Sequence, residues 1–437
     1  MQVDVEQIIE RSRLCPLQWR VLILCALVTL LDGFDLQAMA SVIPTLAADW
    51  GTAPGNLRWI VTAALIGVAA AALFVSPIGD YVGRRMMLIV SFALVAVSML
   101  LTATASSATE LFIWRFLVGL GLGASIPNAF AITAEYVPAR QRAATVTLMA
   151  CGIALGAALS GGLAPHLIEL GGWQAVFACG GAIMIVLWLP LLALPESPRF
   201  LVARARDPRL IGRLVERLDT GFRHADGYTY TIAEPESNSL SVAQLFTGGR
   251  AWATLLLWAV FFLNLGLLHL LANWLPTLLS QRLPLQQALH GSAMFQIGGI
   301  VGAIVFALAM KRWGVFRVLA VSYLVTAATL TMLGTNVTEV AGLFALVLLT
   351  GSGIVGGQTA LNALGATMYP TTARSTGIGW ALGIGRFGAI LAPLVGGALL
   401  AAGIATEKVF ALAIAPTLAC AAVVALLGMD ARKRARV

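Results

Sequence analysis

Charge is what this sequence has least of. Only 11% of its 437 residues are Asp, Glu, Lys or Arg, where a soluble protein carries roughly 25%. That scarcity excludes a water-soluble domain of this length. Histidine is also rare, at four residues, and the five cysteines (Cys15, Cys25, Cys151, Cys179, Cys420) show no paired spacing. A disulfide framework and a metal site are therefore not expected. Period-two alternation is sustained nowhere, which argues against a membrane barrel. The glycines of Gly119-Leu120-Gly121-Leu122-Gly123 lie inside an apolar run with no strand before them, so they suit close helix packing better than a nucleotide loop. No catalytic triad is visible, and no enzyme is expected.

What is present is apolar: 59% of the chain, with 44 glycines. Runs of about 20 apolar residues between short charged stretches read as membrane-spanning helices. Twelve are expected, near 19–47, 57–79, 86–106, 109–133, 143–168, 173–194, 251–279, 289–310, 316–335, 339–367, 375–402 and 407–428. Residues 1–18 form an amphipathic lead-in. Residues 195–250 are the long polar segment, partly helical, and join an N-terminal six-helix half (1–194) to a C-terminal half with a short basic tail (251–437).

The formal charge of +8 could suggest nucleic acid in a soluble protein, but its placement argues otherwise. With both termini inside, the inner segments hold 23 Lys and Arg, the outer loops hold three (Arg58, Arg282, Lys408), and Arg115 and Arg386 fall within spans. That asymmetry places both termini in the cytoplasm of a bacterial inner-membrane protein. The lipid bilayer is the large partner expected, and nucleic acid is not.

The halves repeat at one offset. Ile43-Pro44-Thr45-Leu46 recurs as Leu275-Pro276-Thr277-Leu278, 232 residues on, and the same shift relates Arg85 to Arg317, Pro138 to Pro370 and Arg142 to Arg374. It maps Asp32 onto Asn264, Asp35 onto Leu267 and Gln37 onto His269, so the two halves have diverged in chemistry. Two parallel six-helix repeats around a central cavity make the major facilitator architecture.

Four groups of residues carry the chemistry. Asp32 and Asp35, in Leu31-Asp32-Gly33-Phe34-Asp35-Leu36, sit roughly 60° apart on one helix face. Each carboxylate at a bilayer centre costs on the order of 2.5–3.5 kcal/mol, so a pair needs a reason. A helix-end cluster near water is one reading, and a proton-binding site is the other. Arg386 lies a dozen residues into an apolar span. Its planar fork matches a carboxylate, either a substrate's or that of Asp32 or Asp35. Arg115, in Trp114-Arg115-Phe116, could pair with a first-span aspartate or touch substrate. His269, Asn273 and Trp274 in the seventh span, and Gln358 and Asn362 in the tenth, are the other polar or aromatic candidates for the cavity. Trp380 and Phe387 could stack on an aromatic ring. Core packing is the ordinary role of each of these. The inner loops hold the fourth group: Asp80, Arg84 and Arg85 in Gly79-Asp80-Tyr81-Val82-Gly83-Arg84-Arg85, Glu135 and Arg142 in the turn after the fourth span, and Glu196 and Arg199 in Pro195-Glu196-Ser197-Pro198-Arg199. These read as gating salt bridges rather than ligands. Their counterpart Lys311-Arg312-Trp313-Gly314-Val315-Phe316-Arg317 lacks an acidic residue.

Together these motifs resemble the aromatic acid:proton symporter branch of the major facilitator superfamily. The resemblance covers nearly the whole chain and is most specific at Asp32-Gly33-Phe34-Asp35, Trp274-Leu275-Pro276, and Tyr369-Pro370 and Arg374 through Gly385-Arg386-Phe387-Gly388. It implies import of a benzoate- or hydroxybenzoate-like carboxylate with protons, driven by the proton gradient without a cofactor. Asp32 and Asp35 would couple protons and Arg386 would bind the carboxylate, in a chain working as a monomer by alternating access. Other organic anions (a dicarboxylate or a nicotinate-like acid), a drug/proton antiporter and a sugar carrier are the alternatives. The antiporter reading lacks its proline in Gly156-Ala157-Ala158-Leu159-Ser160-Gly161-Gly162.

Overall fold

Long helices dominate because in hydrocarbon a helix satisfies every backbone group within its own segment. A computed structural model describes the chain except for residues 1, 12–13, 76–77, 205–206, 220–221, 224–227, 232–244, 248–249, 336–338, 370–373 and 435–437. Short elements come first: strand β1 (Gln2–Asp4) and helix α1 (Val5–Arg11), then α2 (Pro16–Asp49), α3 (Arg58–Ala70) and α4 (Gly79–Val82). They are followed by α5 (Arg84–Ala103), α6 (Ala108–Tyr136), α7 (Ala139–Leu191), α8 (Pro198–Ala203), α9 (Pro208–Leu218) and strand β2 (Thr229–Thr231). The rest is α10 (Ala251–Ser280), α11 (Leu285–Trp313), α12 (Val315–Leu333), α13 (Val340–Gly351), α14 (Gly357–Met368), α15 (Arg374–Ala401) and α16 (Thr406–Arg434).

Ten helical stretches among the described residues are long and apolar enough to cross a membrane. The expected second span is α3 continued by a π-helical turn over Ala71–Val75, and the tenth joins α13 to α14 through another, Ser352–Gly356. The fifth and sixth expected spans run together in α7, whose backbone leaves helical geometry at Gly171 and at Gly172 (φ 68°), where a side chain would strain the turn. Adding α3 with its π-helical turn, and counting the two arms of α7 separately, gives a total among the described residues consistent with the twelve expected.

The lead-in is not only helical. β1 pairs in parallel with β2, Val3 opposite Tyr230, and α1 packs on α9. The polar segment thus folds back onto the start of the chain.

The contacts divide the chain into two compact units. One comprises Met1–Asp35, Ile66–Gly156 and Gln174–Ser237, and the other Leu36–Leu65, Ala157–Trp173 and Asn238–Val437. In the first unit α2 and α7 cross at two glycines. A Cβ on Gly156 would stand 1.7 Å from the Leu30 carbonyl oxygen, and one on Gly33 would stand 1.8 Å from that of Ile153. In the second unit α10 and α15 cross in the same way: a Cβ on Gly388 would stand 2.1 Å from the Phe262 carbonyl oxygen. Leu30 and Phe262, and Gly156 and Gly388, are each separated by the 232-residue repeat offset, so the duplication is built into the backbone crossings. Gly156→Val should lower the melting temperature of the purified protein, because the carbonyl opposite cannot yield. The overpacking cost is about 1–3 kcal/mol or more. An unchanged melting curve would contradict this packing.

Candidate functional site

The first cluster is set by α2. Asp35 faces α6, where Arg115 donates from both terminal nitrogens, Nη1 to Oδ1 at 2.6 Å and Nη2 to Oδ2 at 2.9 Å. Both side chains are almost wholly buried, at 2% and 1% exposure. The Phe177 ring of α7 lies 5.5 Å beneath the guanidinium, and Arg115 Nε has no hydrogen-bond partner among the described residues. The ion pair is both forked and buried. It is also expensive to break, because removing one partner strands the other. Of the two partners open to Arg115, the structure selects the aspartate, so the helix-end reading of the pair does not hold for Asp35.

Asp32 differs. It is partly exposed, and among the described residues nothing donates a hydrogen bond to its carboxylate. Gly33, between the two acids, meets the α7 backbone at Ile153, and Phe34 packs near Gly180 of the same helix.

A second cluster belongs to the other unit. Arg386 on α15 is half-buried, and no carboxylate pairs with it among the described residues. On α10, His269 Nδ1 lies 3.0 Å from the Leu265 carbonyl oxygen, which can only accept. The Nδ1 proton is thereby assigned, and Nε2 of the neutral ring is left as an acceptor. Asn273 is turned back on its own helix, its amide donating to the His269 carbonyl at 2.8 Å. Gln358 accepts from Asn264 at 2.9 Å and donates to Asn362 at 3.2 Å, while Tyr323 donates to Asn264 at 2.9 Å. Asn264, the repeat counterpart of Asp32, is therefore fully engaged where Asp32 is open.

Two aromatic candidates are placed away from Arg386. At 100° per residue Phe387 points 100° and Trp380 120° from it, on a shared side. Trp380 stacks on Trp258, centroids 5.7 Å apart, while Phe387 is 61% exposed. Trp274 has no exposed surface for a ligand, and its indole donates to the Pro393 carbonyl at 2.9 Å, tying α10 to α15. Pairing geometry of this kind leaves no spacing signal in a sequence. A residue that sequence reasoning passed over is Gln296, buried and in contact with Gln37 at 3.4 Å. The only signal for it was a second glutamine in an apolar span.

The inner-loop residues meet in the first unit. Glu135 pairs with Arg84 and accepts from the Ser197 hydroxyl. Glu196 accepts from the Arg85 backbone at 3.1 Å, and the Arg85 guanidinium donates to the Leu192 carbonyl at 2.6 Å. Gly83, at φ 109°, brings the turn against Glu196. Arg142 reaches Glu6 of α1 at 3.7 Å, and Arg199 lines a small cavity of about 140 Å³ with Glu6, Arg84, Glu135 and Arg142. The Asp80 and Arg374 side chains, with Pro370, lie outside the described residues. Glu135→Gln should remove the Arg84 pair and raise the protease sensitivity of the 195–250 segment. Unchanged cleavage kinetics would count against a clamp here.

Residues 25–309 match the model of the Major Facilitator Superfamily. The chain belongs to that superfamily. The 4-hydroxybenzoate transporter PcaK of Pseudomonas aeruginosa is 37% identical over 98% of this chain and 96% of its own length. The gallate transporter of Pseudomonas putida is 38% identical over 99% and 96%. This places the chain in the superfamily's aromatic acid family, whose members are membrane transporters and not enzymes. A bacterial homologue of the human lysosomal transporter Spinster, in an inward-facing and occupied conformation, has a TM-score of 0.71 at 15% identity. The match covers 95% of this chain and 98% of that one. At that identity the likeness concerns the fold, which is the major facilitator fold.

Proposed function

We propose that this major facilitator protein imports a small aromatic carboxylate, benzoate- or hydroxybenzoate-like, with protons across the bacterial inner membrane. The observation that carries the reading is Arg386, a half-buried guanidinium inside an apolar helix with no paired carboxylate among the described residues. A substrate carboxylate supplies the missing charge, and the relatives' names supply the aromatic ring. The excess of Lys and Arg in the inner segments supports termini in the cytoplasm.

In this reading Asp32 takes the proton, since Asp35 is already committed to Arg115. Arg386 then holds the carboxylate, and neutralising both charges lowers the cost of closing the site away from water. The two halves alternate access, and the Arg84–Glu135 and Arg85–Glu196 contacts re-form in each cycle. A single copy of the chain suffices.

The test is uptake of labelled 4-hydroxybenzoate into proteoliposomes under an imposed pH gradient. Arg386→Ala should abolish binding. Arg386→Lys should recover only part, since an ammonium cannot reproduce the planar fork. Full uptake by Arg386→Ala, or uptake of sugars but no aromatic acid by the unaltered protein, would reject the reading.

His269 sharpens the substrate. With Nδ1 committed to Leu265, Nε2 is left to accept a hydrogen bond from a ring hydroxyl. His269→Phe should therefore weaken hydroxybenzoate relative to benzoate by about tenfold, the scale of one lost hydrogen bond. Equal losses for both acids in a competition assay would remove His269 from substrate selection.

A further inference from the structure

The surface of α11, α12 and α13, which lies within one unit, carries a groove of about 550 Å³ that the transport reading does not use. Val301, Val305, Val321 and Leu349 line it, and Trp313 and Arg317 close one end. Its few hydroxyls face inward: Ser322 donates to the Leu319 carbonyl at 2.8 Å and Ser352 to that of Leu348 at 3.0 Å. The walls thus present hydrocarbon. From Val301 to Trp313 the α11 wall is about 18 Å long, close to the roughly 15 Å depth of one bilayer leaflet.

Charge singles out this groove. Arg317 lines its end, Lys311 and Arg312 directly precede the lining Trp313 in the chain, all three are exposed, and no carboxylate pairs with them among the described residues. Their repeat counterparts behave differently. Arg85, the counterpart of Arg317, is spent on the Leu192 carbonyl, and Asp80 stands where Arg312 stands. The second half has exchanged an internally satisfied turn for three free cations, beside an interfacial tryptophan that Arg312 covers at 6.0 Å. A second groove, of about 500 Å³ between α10, α15 and α16, has no charged residue in its lining.

We infer that the α11–α12–α13 groove is a binding site for one anionic phospholipid, an acyl chain lying along Val301–Trp313 and the phosphate held by Arg317, Arg312 and Lys311. The arginine asymmetry puts these cations at the cytoplasmic leaflet, where anionic headgroups meet basic pockets. Apolar walls alone would accept any lipid, and the cations make the choice.

The probes are dioleoyl phosphatidylglycerol and dioleoyl phosphatidylcholine, titrated onto the full-length protein in mild detergent, with bound lipid counted by native mass spectrometry. The unaltered protein should retain one phosphatidylglycerol in preference. The Arg312→Ala/Arg317→Ala variant should lose about 30-fold of that preference, at about fivefold per cation. Val305→Trp, at a half-exposed position, should fill the groove and weaken both lipids, whereas Val395→Trp in the uncharged groove should change neither ratio. Equal retention of the two lipids by the unaltered protein would overturn the site. So would a preference surviving in the double variant, or a second copy of the chain rather than lipid shielding Val321→Cys from a thiol probe.

Discussion

Asp35→Asn should be among the most destabilising single changes in this protein, and lowering the pH should not relieve it. The amide keeps the shape of Asp35 but leaves the Arg115 guanidinium, 2% exposed, without a counter-charge. Breaking a buried pair by removing one partner costs about 3–5 kcal/mol. The reciprocal change, Arg115→Gln, strands Asp35 instead, and the two cases are not symmetric. A carboxylate can shed its charge by taking up a proton, whereas a guanidinium cannot release one at any pH a protein survives. Thermal unfolding in detergent should therefore show Arg115→Gln recovering stability as the pH falls and Asp35→Asn staying low throughout. The double variant Asp35→Leu/Arg115→Met removes both charges and should regain most of the loss, because a well-packed apolar pair often replaces a buried ion pair at little cost. It also leaves Asp32 in place, so it should still accumulate substrate down a pH gradient. A double variant no more stable than Asp35→Asn would show that the geometry of the pair, and not its charge, holds α2 to α6.

The ease of reading the rest varied with the range of the interaction. Span positions follow from local hydropathy, and most helices begin and end within a few residues of expectation. The neighbour of Gly33 was not legible: Ile153 is 120 residues away, and nothing local specifies it. The repeat offset carried further. It predicted nothing about glycines directly, yet Gly156 on Leu30 and Gly388 on Phe262 obey it, because duplicated helices keep their crossing points longer than their side chains. Arg115 shows the opposite case. The first span offered it two aspartates three residues apart, and only the three-dimensional fork selects Asp35. Trp274 and Trp380 were misleading for a shared reason: an indole suits a substrate ring and a helix interface equally well, and both are taken up by the α10–α15 interface. The β1–β2 pair escaped notice because strands of three residues have no period to detect.

The second large effect belongs to Asp32. Asp32→Asn should leave the protein folded and able to exchange substrate, yet remove its ability to concentrate substrate against a gradient. Folding is spared because nothing among the described residues depends on this carboxylate, which accepts no hydrogen bond and sits partly exposed. The repeat supplies the control, since Asn264 already occupies the equivalent position and is held by Tyr323, Gln358 and the Ile354 carbonyl. An amide at this point of the fold is therefore tolerated, and it is fixed in the neutral form that a protonated Asp32 would reach only transiently. A carrier locked in that form can still cross with substrate, but it cannot release a proton on the inner side. Counterflow of labelled 4-hydroxybenzoate in proteoliposomes should persist, while accumulation under an acid-outside gradient should fall to the equilibrium level and substrate-driven alkalinisation should vanish. If Asp32→Asn still concentrates substrate when the outside is acid, the proton travels on another group. If counterflow disappears as well, Asp32 takes part in substrate binding, and Arg386 is not the only residue that recognises the acid.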